Sequence, residues 1–245
     1  MRKPLLTLLS LVVSCSALAA GKTVTYKVDG DAYEGYYVSP GKDAPLVLLV
    51  HDWDGLTDYE VKRAEMLSDM GYSVFAVDLF GAGVRPTKDE DKRQHTGELY
   101  KDRNKMRKLL QASLDTAKSE GGNVNNAVAI GYCFGGAAVL EMARSGADLK
   151  GFATFHGGLQ TPDGQDYSKT HGQLLIMHGS ADSAITMDQF AALANELEKS
   201  GVRHEMITYS GAPHAFTVFG SDRYREDADK KSWRRFGEFL TSVTQ

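Results

Sequence analysis

The sequence predicts an α/β protein: a mostly parallel, twisted sheet with helices on both faces. Two observations carry that expectation. First, Pro45–His51, Ser73–Val77, Ala127–Ile130, Phe152–Phe155 and Gln173–Gly179 are short, nearly continuous apolar runs, the pattern of strands buried on both faces. Second, helical patterns separate most of these runs, and strands alternating with helices pair in parallel through crossover connections. From residue 21 to residue 245 there is no internal repeat, low-complexity tract or linker, so this span reads as a single domain.

Taken in order, Thr23–Val28 and Ala32–Val38 alternate in polarity and read as an antiparallel pair joined at Asp29-Gly30-Asp31. After the Pro45–His51 strand, Asp58 opens a helix with Val61, Ala64, Met66 and Leu67 among its apolar positions, and Gly71 closes it. Ser73–Val77 is the next strand and runs into Asp78-Leu79-Phe80-Gly81. The charged stretch Lys88–Lys118 is rich in helix formers, and the only interruption expected is at Gly97. Ala127–Ile130 leads into a helix reaching about Ser145, followed by the strands Phe152–Phe155 and Gln173–Gly179. Met187–Ser200 is amphipathic, with Phe190, Leu193, Ala194 and Leu197 on one face. Glu205–Tyr209 is the last strand, and the final helix, about Glu226 to Thr241, carries Trp233, Phe236, Phe239 and Leu240.

Composition narrows the function classes. The 245 residues are 42% hydrophobic and 24% charged, ordinary for one large α/β domain. A formal charge of -4 gives no electrostatic case for nucleic acid or an anionic membrane as partner. Residues 1–20 read as a secretory signal peptide: Arg2 and Lys3 supply a positive start, Leu5 to Val13 an apolar stretch too short to span a bilayer, and Ala17-Leu18-Ala19 a small-x-small cleavage signal. The expected location is the periplasm or the medium. A competing export reading treats Val12-Val13-Ser14-Cys15 as a lipobox with a lipid anchor at Cys15. Cys15 and Cys133 are the two cysteines, so a chain cut near Ala20 keeps Cys133 alone and has no intrachain disulfide.

Chemistry concentrates at three strand ends. Gly131-Tyr132-Cys133-Phe134-Gly135-Gly136 lies between an apolar strand and a helix, the setting of a nucleophile elbow. In such a turn the central side chain stands exposed above the sheet on a strained backbone, and a Cβ on the flanking glycines would strike neighbouring backbone. Alone, Cys133 would read as a small buried hydrophobe. Asp182, after Gln173–Gly179, and His214, after Glu205–Tyr209, complete the order nucleophile, acid, base. All three fall where open α/β sheets place ligands, outside the carboxyl ends of the strands. His51, His156 and His178 also fall at strand ends, but no spacing matches a zinc motif, and neither metal nor cofactor is expected.

These motifs, with His51-Asp52-Trp53-Asp54-Gly55-Leu56, Val77-Asp78-Leu79-Phe80 and Pro213-His214-Ala215-Phe216, resemble the dienelactone hydrolase family, the Cys-His-Asp branch of the α/β-hydrolase fold. The resemblance implies Cys133 as nucleophile, His214 as base and later acid, and Asp182 as the residue orienting the imidazole. It also implies the backbone N–H groups of Phe134 and Trp53 as the oxyanion hole. Asp52 stands where the family has a glutamate that holds the resting thiol neutral; one methylene shorter, it either reaches Cys133 or caps the following turn. Ala215 and Val218 stand where the family has a serine and an arginine that help hold a substrate carboxylate, leaving Arg85, Arg93 and Arg223 as nearby candidates, with solvated surface arginines as the alternative reading of all three. Phe80 and His156 are candidate walls of the substrate pocket, with core packing as the alternative for each, and Trp53 shares those two readings.

The implied activity is hydrolysis of small carboxylic esters or lactones through a cysteinyl acyl-enzyme. Three other readings remain open: acyl transfer or thioester cleavage by the same residues, non-catalytic binding of a small ligand or partner, and a redox role for Cys133. The last is weakened by the lack of a resolving cysteine.

Overall fold

The computed structural model describes residues 20–245; the expected leader and Cys15 lie outside the described residues except for Ala20. Eight strands form one sheet: β1 Lys22–Val28, β2 Asp31–Val38, β3 Pro45–Val50, β4 Ser73–Val77, β5 Asn123–Tyr132, β6 Gly151–Phe155, β7 Gln173–Gly179 and β8 His204–Tyr209. Their order is β1-β2-β4-β3-β5-β6-β7-β8. The pairs β1–β2 and β2–β4 are antiparallel and all the others are parallel. The β1–β2 hairpin turns at Asp29 (φ 54°) and Gly30 (φ 96°), the two consecutive positive φ values of a type I′ turn.

Burial follows the two-residue period of the pleat. Leu46, Leu48 and Val50 of β3 join one core layer, while Val47 and Leu49 join the other. Six helices cover the sheet: α1 Asp58–Asp69, α2 Asp89–Lys101, α3 Arg103–Ser119, α4 Phe134–Arg144, α5 Met187–Ser200 and α6 Glu226–Thr244. The first layer receives Met106, Leu109 and Leu110 of α3, Ala138 to Leu140 of α4, and Leu193 and Leu197 of α5. The second receives Ala64 and Leu67 of α1 with Phe236, Phe239 and Leu240 of α6. Both faces of the sheet are therefore sealed, which is what the continuous apolar runs require.

Two expectations are corrected. The charged stretch breaks at Asp102, not at Gly97, which lies inside α2. Asp102 leaves the helical region at φ -112°, ψ 80°, and its carboxylate accepts from the Lys105 N–H, capping α3. A glycine only weakens a helix, whereas a capping side chain satisfies an orphan donor and fixes a new start. Strand β5 also begins earlier than its apolar run, at Asn123, where Asn123 pairs with Pro45 before an irregularity resets the register at Leu46–Ala127. Gly122, just before it, packs against Leu46 and the Ala117 carbonyl, so the polar start of the strand is fixed by the edge of the core.

Starting from β3, the chain steps to β4 on one side and to β5 on the other. That reversal is the topological switch point, where a crevice opens beyond the carboxyl ends of the strands. The loops after β3, β5, β7 and β8 converge on this crevice.

Candidate active site

Strand β5 ends at Tyr132 and α4 begins at Phe134, leaving Cys133 at φ 51°, ψ -113°. A non-glycine residue held at positive φ is strained and persists only where its surroundings fix it. The Cys133 N–H donates to Phe155 O at 3.1 Å, and its carbonyl accepts from the N–H groups of Gly136 and Gly158. The glycines are required by contact. A Cβ on Gly131 would sit 2.1 Å from Gly135 O, and one on Gly135 2.3 Å from Val50 O. The turn thus lifts the half-buried Cys133 side chain off the sheet at the start of α4.

The loops after β7 and β8 bring the other two residues to it. His214 Nε2 lies 3.0 Å from Cys133 Sγ, and His214 Nδ1–H donates to Asp182 Oδ2 at 2.8 Å. The other carboxylate oxygen of Asp182 accepts from the N–H groups of Ala184 and Ile185, each at 2.9 Å, which fixes its orientation. The Ala181 N–H donates to Ala212 O, tying the two loops together. Burial pushes the Asp182 pKa up, but its bond to His214, the imidazole's charge and the two N–H groups hold the carboxyl below its usual range. Burial also opposes charge on His214; the bonds to Asp182 and Cys133, with the charge on both partners, overcome it and raise its pKa to about 10. The arrangement favours an imidazolium facing the sulfur.

A cavity of about 380 Å³ opens over Cys133 and is lined by Trp53, Tyr100, Phe134 and His214 among others. Neither the Phe134 N–H nor the Trp53 N–H donates to another group among the described residues. Phe134 is the first residue of α4, where helix geometry leaves a free donor. Asp52 lines the same cavity, but its Oδ1 accepts from the Asp54 N–H at 2.8 Å, the turn-capping alternative. Burial and the nearby Asp54 charge outweigh that bond and push the Asp52 pKa up to about 6.

Phe80 and His156 do not line this cavity; both sit one layer behind it. Phe80 packs against His51 at 4.6 Å and Phe134 at 5.7 Å between ring centroids. His156 is fully buried, its ring 5.3 Å from that of His214, and its Nε2 pairs with the Thr217 hydroxyl at 2.8 Å. Burial and the His214 charge hold His156 well below its ordinary pKa, so it stays neutral beside the imidazolium. Thr217 also meets Tyr59 Oη at 2.7 Å, and its carbonyl accepts from Arg63, which pairs with Asp229. His51 accepts from the Leu79 N–H through Nε2, and His178 donates from Nε2 to Ile185 O beside Asp182.

Of the three candidate arginines, Arg93 and Arg223 line the cavity, whereas Arg85 turns back to Val84 O and Asp78. Tyr100 was not anticipated. It lies on α2, away from every strand end, and its only trace in the sequence is a large aromatic near the end of a charged helix. Thr217 follows His214 by three residues and likewise carries no motif of its own.

Known proteins resemble this chain along most of its length. A model of the dienelactone hydrolase family matches residues 33–244. A protein of Aquifex aeolicus, provisionally named a carboxymethylenebutenolidase, is 24% identical over 200 residues, covering 80% of this chain and 87% of that protein. Among solved structures, a dienelactone hydrolase-like promiscuous phosphotriesterase from metagenomic libraries superposes with a TM-score of 0.86 at 26% identity, covering 94% of this chain and all (100%) of that one. The protein m3DLH gives a TM-score of 0.87 at 29% identity, covering 92% and 99%.

Proposed function

The chain belongs to the dienelactone hydrolase family, hydrolases of ester and lactone bonds, and on that premise we propose that it cleaves small carboxylic esters or lactones through an acyl-enzyme on Cys133. The observation that carries this reading is the hydrogen-bonded line Asp182–His214–Cys133, whose last two members line a cavity together with Trp53 and Phe134, residues whose backbone N–H groups donate to no other group among the described residues.

In the proposed reaction, Cys133 Sγ attacks the ester carbonyl while the proton it shares with His214 stays on the imidazole. The carbonyl oxygen becomes an oxyanion and is met by the N–H groups of Phe134 and Trp53; donors aimed at developing charge contribute about 2.7–4 kcal/mol each. His214 then passes its proton to the leaving alcohol as the C–O bond breaks. For the second half, His214 takes a proton from water, the hydroxide oxygen attacks the thioester, and the sulfur departs as a thiolate beside the imidazolium, which restores the starting pair. Asp182 holds the imidazole in the tautomer and orientation both steps need. Arg93 and Arg223 at the cavity wall favour substrates that carry negative charge close to the scissile bond.

The reading includes export. Residues 1–20, with Arg2, Lys3, the Leu5–Val13 stretch and Ala17-Leu18-Ala19, support cleavage near Ala20 and a periplasmic or secreted enzyme; a lipid anchor at Cys15 is the competing outcome. Among the described residues, no helix is long and apolar enough to cross a membrane. The N-terminal residue of the mature protein decides between them.

Activity is tested with p-nitrophenyl esters and small lactones on wild type, Cys133→Ala and His214→Ala side by side. Turnover by wild type that both variants lose by more than about a thousandfold supports the assignment. Equal rates in wild type and Cys133→Ala would overturn it.

A further inference from the structure

The cavity over Cys133 has a neighbour on the other side of Tyr100. A second hollow of about 420 Å³ shares the wall residues Tyr100, Gly158 and Ile185 with it, so the two lie side by side. Leu159 and Ala137 give the second hollow an apolar floor. Among the described residues that line it, only Arg103 is charged. Asp163 and Glu196 line a third hollow, which adjoins this one at Pro162.

The polar end of this hollow is rich in donors. Arg103 lies against the Tyr100 ring at 4.7 Å, and its Nε–H donates to Tyr100 O at 2.9 Å, which fixes the plane of the guanidinium. Its nearest carboxylate is Glu141, at 3.6 Å. Glu141 is already held more closely by Arg107 at 2.5 Å and Arg144 at 2.9 Å, and it also accepts from Gln165. Three guanidinium groups around one carboxylate leave a net positive charge, and Arg103 is the member that faces the hollow. Gln189 lines the same hollow; its Oε1 is used by the Thr186 N–H, which leaves the amide NH₂ as its free function. A fixed guanidinium with an amide donor nearby suits a planar carboxylate.

We propose that this hollow is a second substrate-binding subsite, taking a carboxylate at the far end of an ester whose carbonyl sits at Cys133. The favoured substrates are then half-esters of dicarboxylic acids, with an apolar spacer lying over Tyr100 and Ile185. This deepens the hydrolase reading and rests on it. It is separate from any charge preference set by Arg93 and Arg223, which line the triad cavity and not this hollow.

The test uses mono-p-nitrophenyl esters of dicarboxylic acids with four to eight carbons, each compared with its methyl-capped, uncharged counterpart. The readout is the ratio of kcat/KM for charged over uncharged ester, so that a general loss of activity cancels. In wild type the ratio should pass through a maximum of about tenfold or more at one spacer length. Arg103→Gln should flatten it, and Arg103→Lys should restore part of it. In parallel, the same esters are titrated against Cys133→Ala and Cys133→Ala/Arg103→Gln, where binding needs no turnover. A charge preference in binding that Arg103→Gln abolishes supports the subsite even if wild type turns over none of the esters, an outcome that would remove the hydrolase reading alone. A ratio independent of spacer length, or one lost in Arg93→Gln or Arg223→Gln but kept in Arg103→Gln, overturns the subsite.

Discussion

Replacing Thr217 by valine keeps the shape of the side chain and removes one hydroxyl that two buried groups share. His156 Nε2 pairs with that hydroxyl, and His156 Nδ1 has no partner, so the substitution leaves the ring with no side-chain hydrogen bond. An unsatisfied buried polar group costs about 1–3 kcal/mol. Tyr59 Oη also loses a partner but keeps Arg63 Nε at 3.3 Å, so its loss is that of one net bond, about 0.5–1.5 kcal/mol. Together the expected destabilisation is about 2–4 kcal/mol, read as a lower urea midpoint at unchanged slope. Because His156 backs onto the His214 ring, a shift there misplaces the base, and kcat for a good ester should fall about tenfold. Thr217 lies beneath the cavity rather than in it, so KM should change little. Thr217→Ser, which keeps the hydroxyl, should recover both properties. A Thr217→Val protein within about 0.5 kcal/mol of wild type and with unchanged kcat would refute the proposed support of His214.

Three further outcomes follow from the same site. With a His214 pKa raised to about 10, the stability this residue adds is complete below its ordinary value of about 6.5 and is lost as pH rises through about 10. Urea midpoints of wild type should fall over that window, and those of His214→Gln should fall less. Asp52 runs from the same sign rule: with its pKa pushed up to about 6, burying its charge penalises the fold increasingly as pH rises from about 4 through 6. Asp52→Asn should gain stability over wild type above about pH 6 but not near pH 4, and the pH profile of kcat/KM should lose an inflection near 6. In Gly135→Ala the new methyl would meet Val50 O and His51 O at 2.3 and 2.4 Å, all of it backbone that cannot yield cheaply. Expected are a loss of about 1–3 kcal/mol or more by urea unfolding and loss of activity in whatever folds.

The parts of the fold that sequence reading reached are those in which local pattern and tertiary demand coincide. Strand β4, strand β7 and helix α5 have the boundaries their runs suggest, because each is an unbroken apolar or amphipathic segment bounded by clear stops. The elbow was legible because backbone contact at Gly131 and Gly135 permits no other residue, and contact of that kind leaves its mark in the sequence. The convergence of Cys133, Asp182 and His214 followed from their places after strands, since a parallel sheet collects its strand ends on one side.

Depth within that side was not legible. Phe80 and His156 stand at strand ends just as Cys133 and Asp182 do, but side chains from α4 and the His214 loop cover them, and those contacts are long in sequence. Arg93, Tyr100 and Arg103 lie on or beside α2 and α3, where charge patterning reads the same for a solvated face and for a cavity wall. The Asp102 break was missed for a related reason: a capping aspartate amid charged residues has no compositional contrast with its neighbours.

The central claim is that Cys133 carries the acyl group, and the most direct test is the intact mass of the protein quenched in acid during turnover of a p-nitrophenyl ester. Expected is a single added acyl mass on wild type, mapped by peptide digestion to Cys133, and none on Cys133→Ala. His214→Ala should either fail to form the adduct or fail to clear it. Turnover by wild type with the acyl group on another residue, or with the same adduct on Cys133→Ala, would contradict the claim.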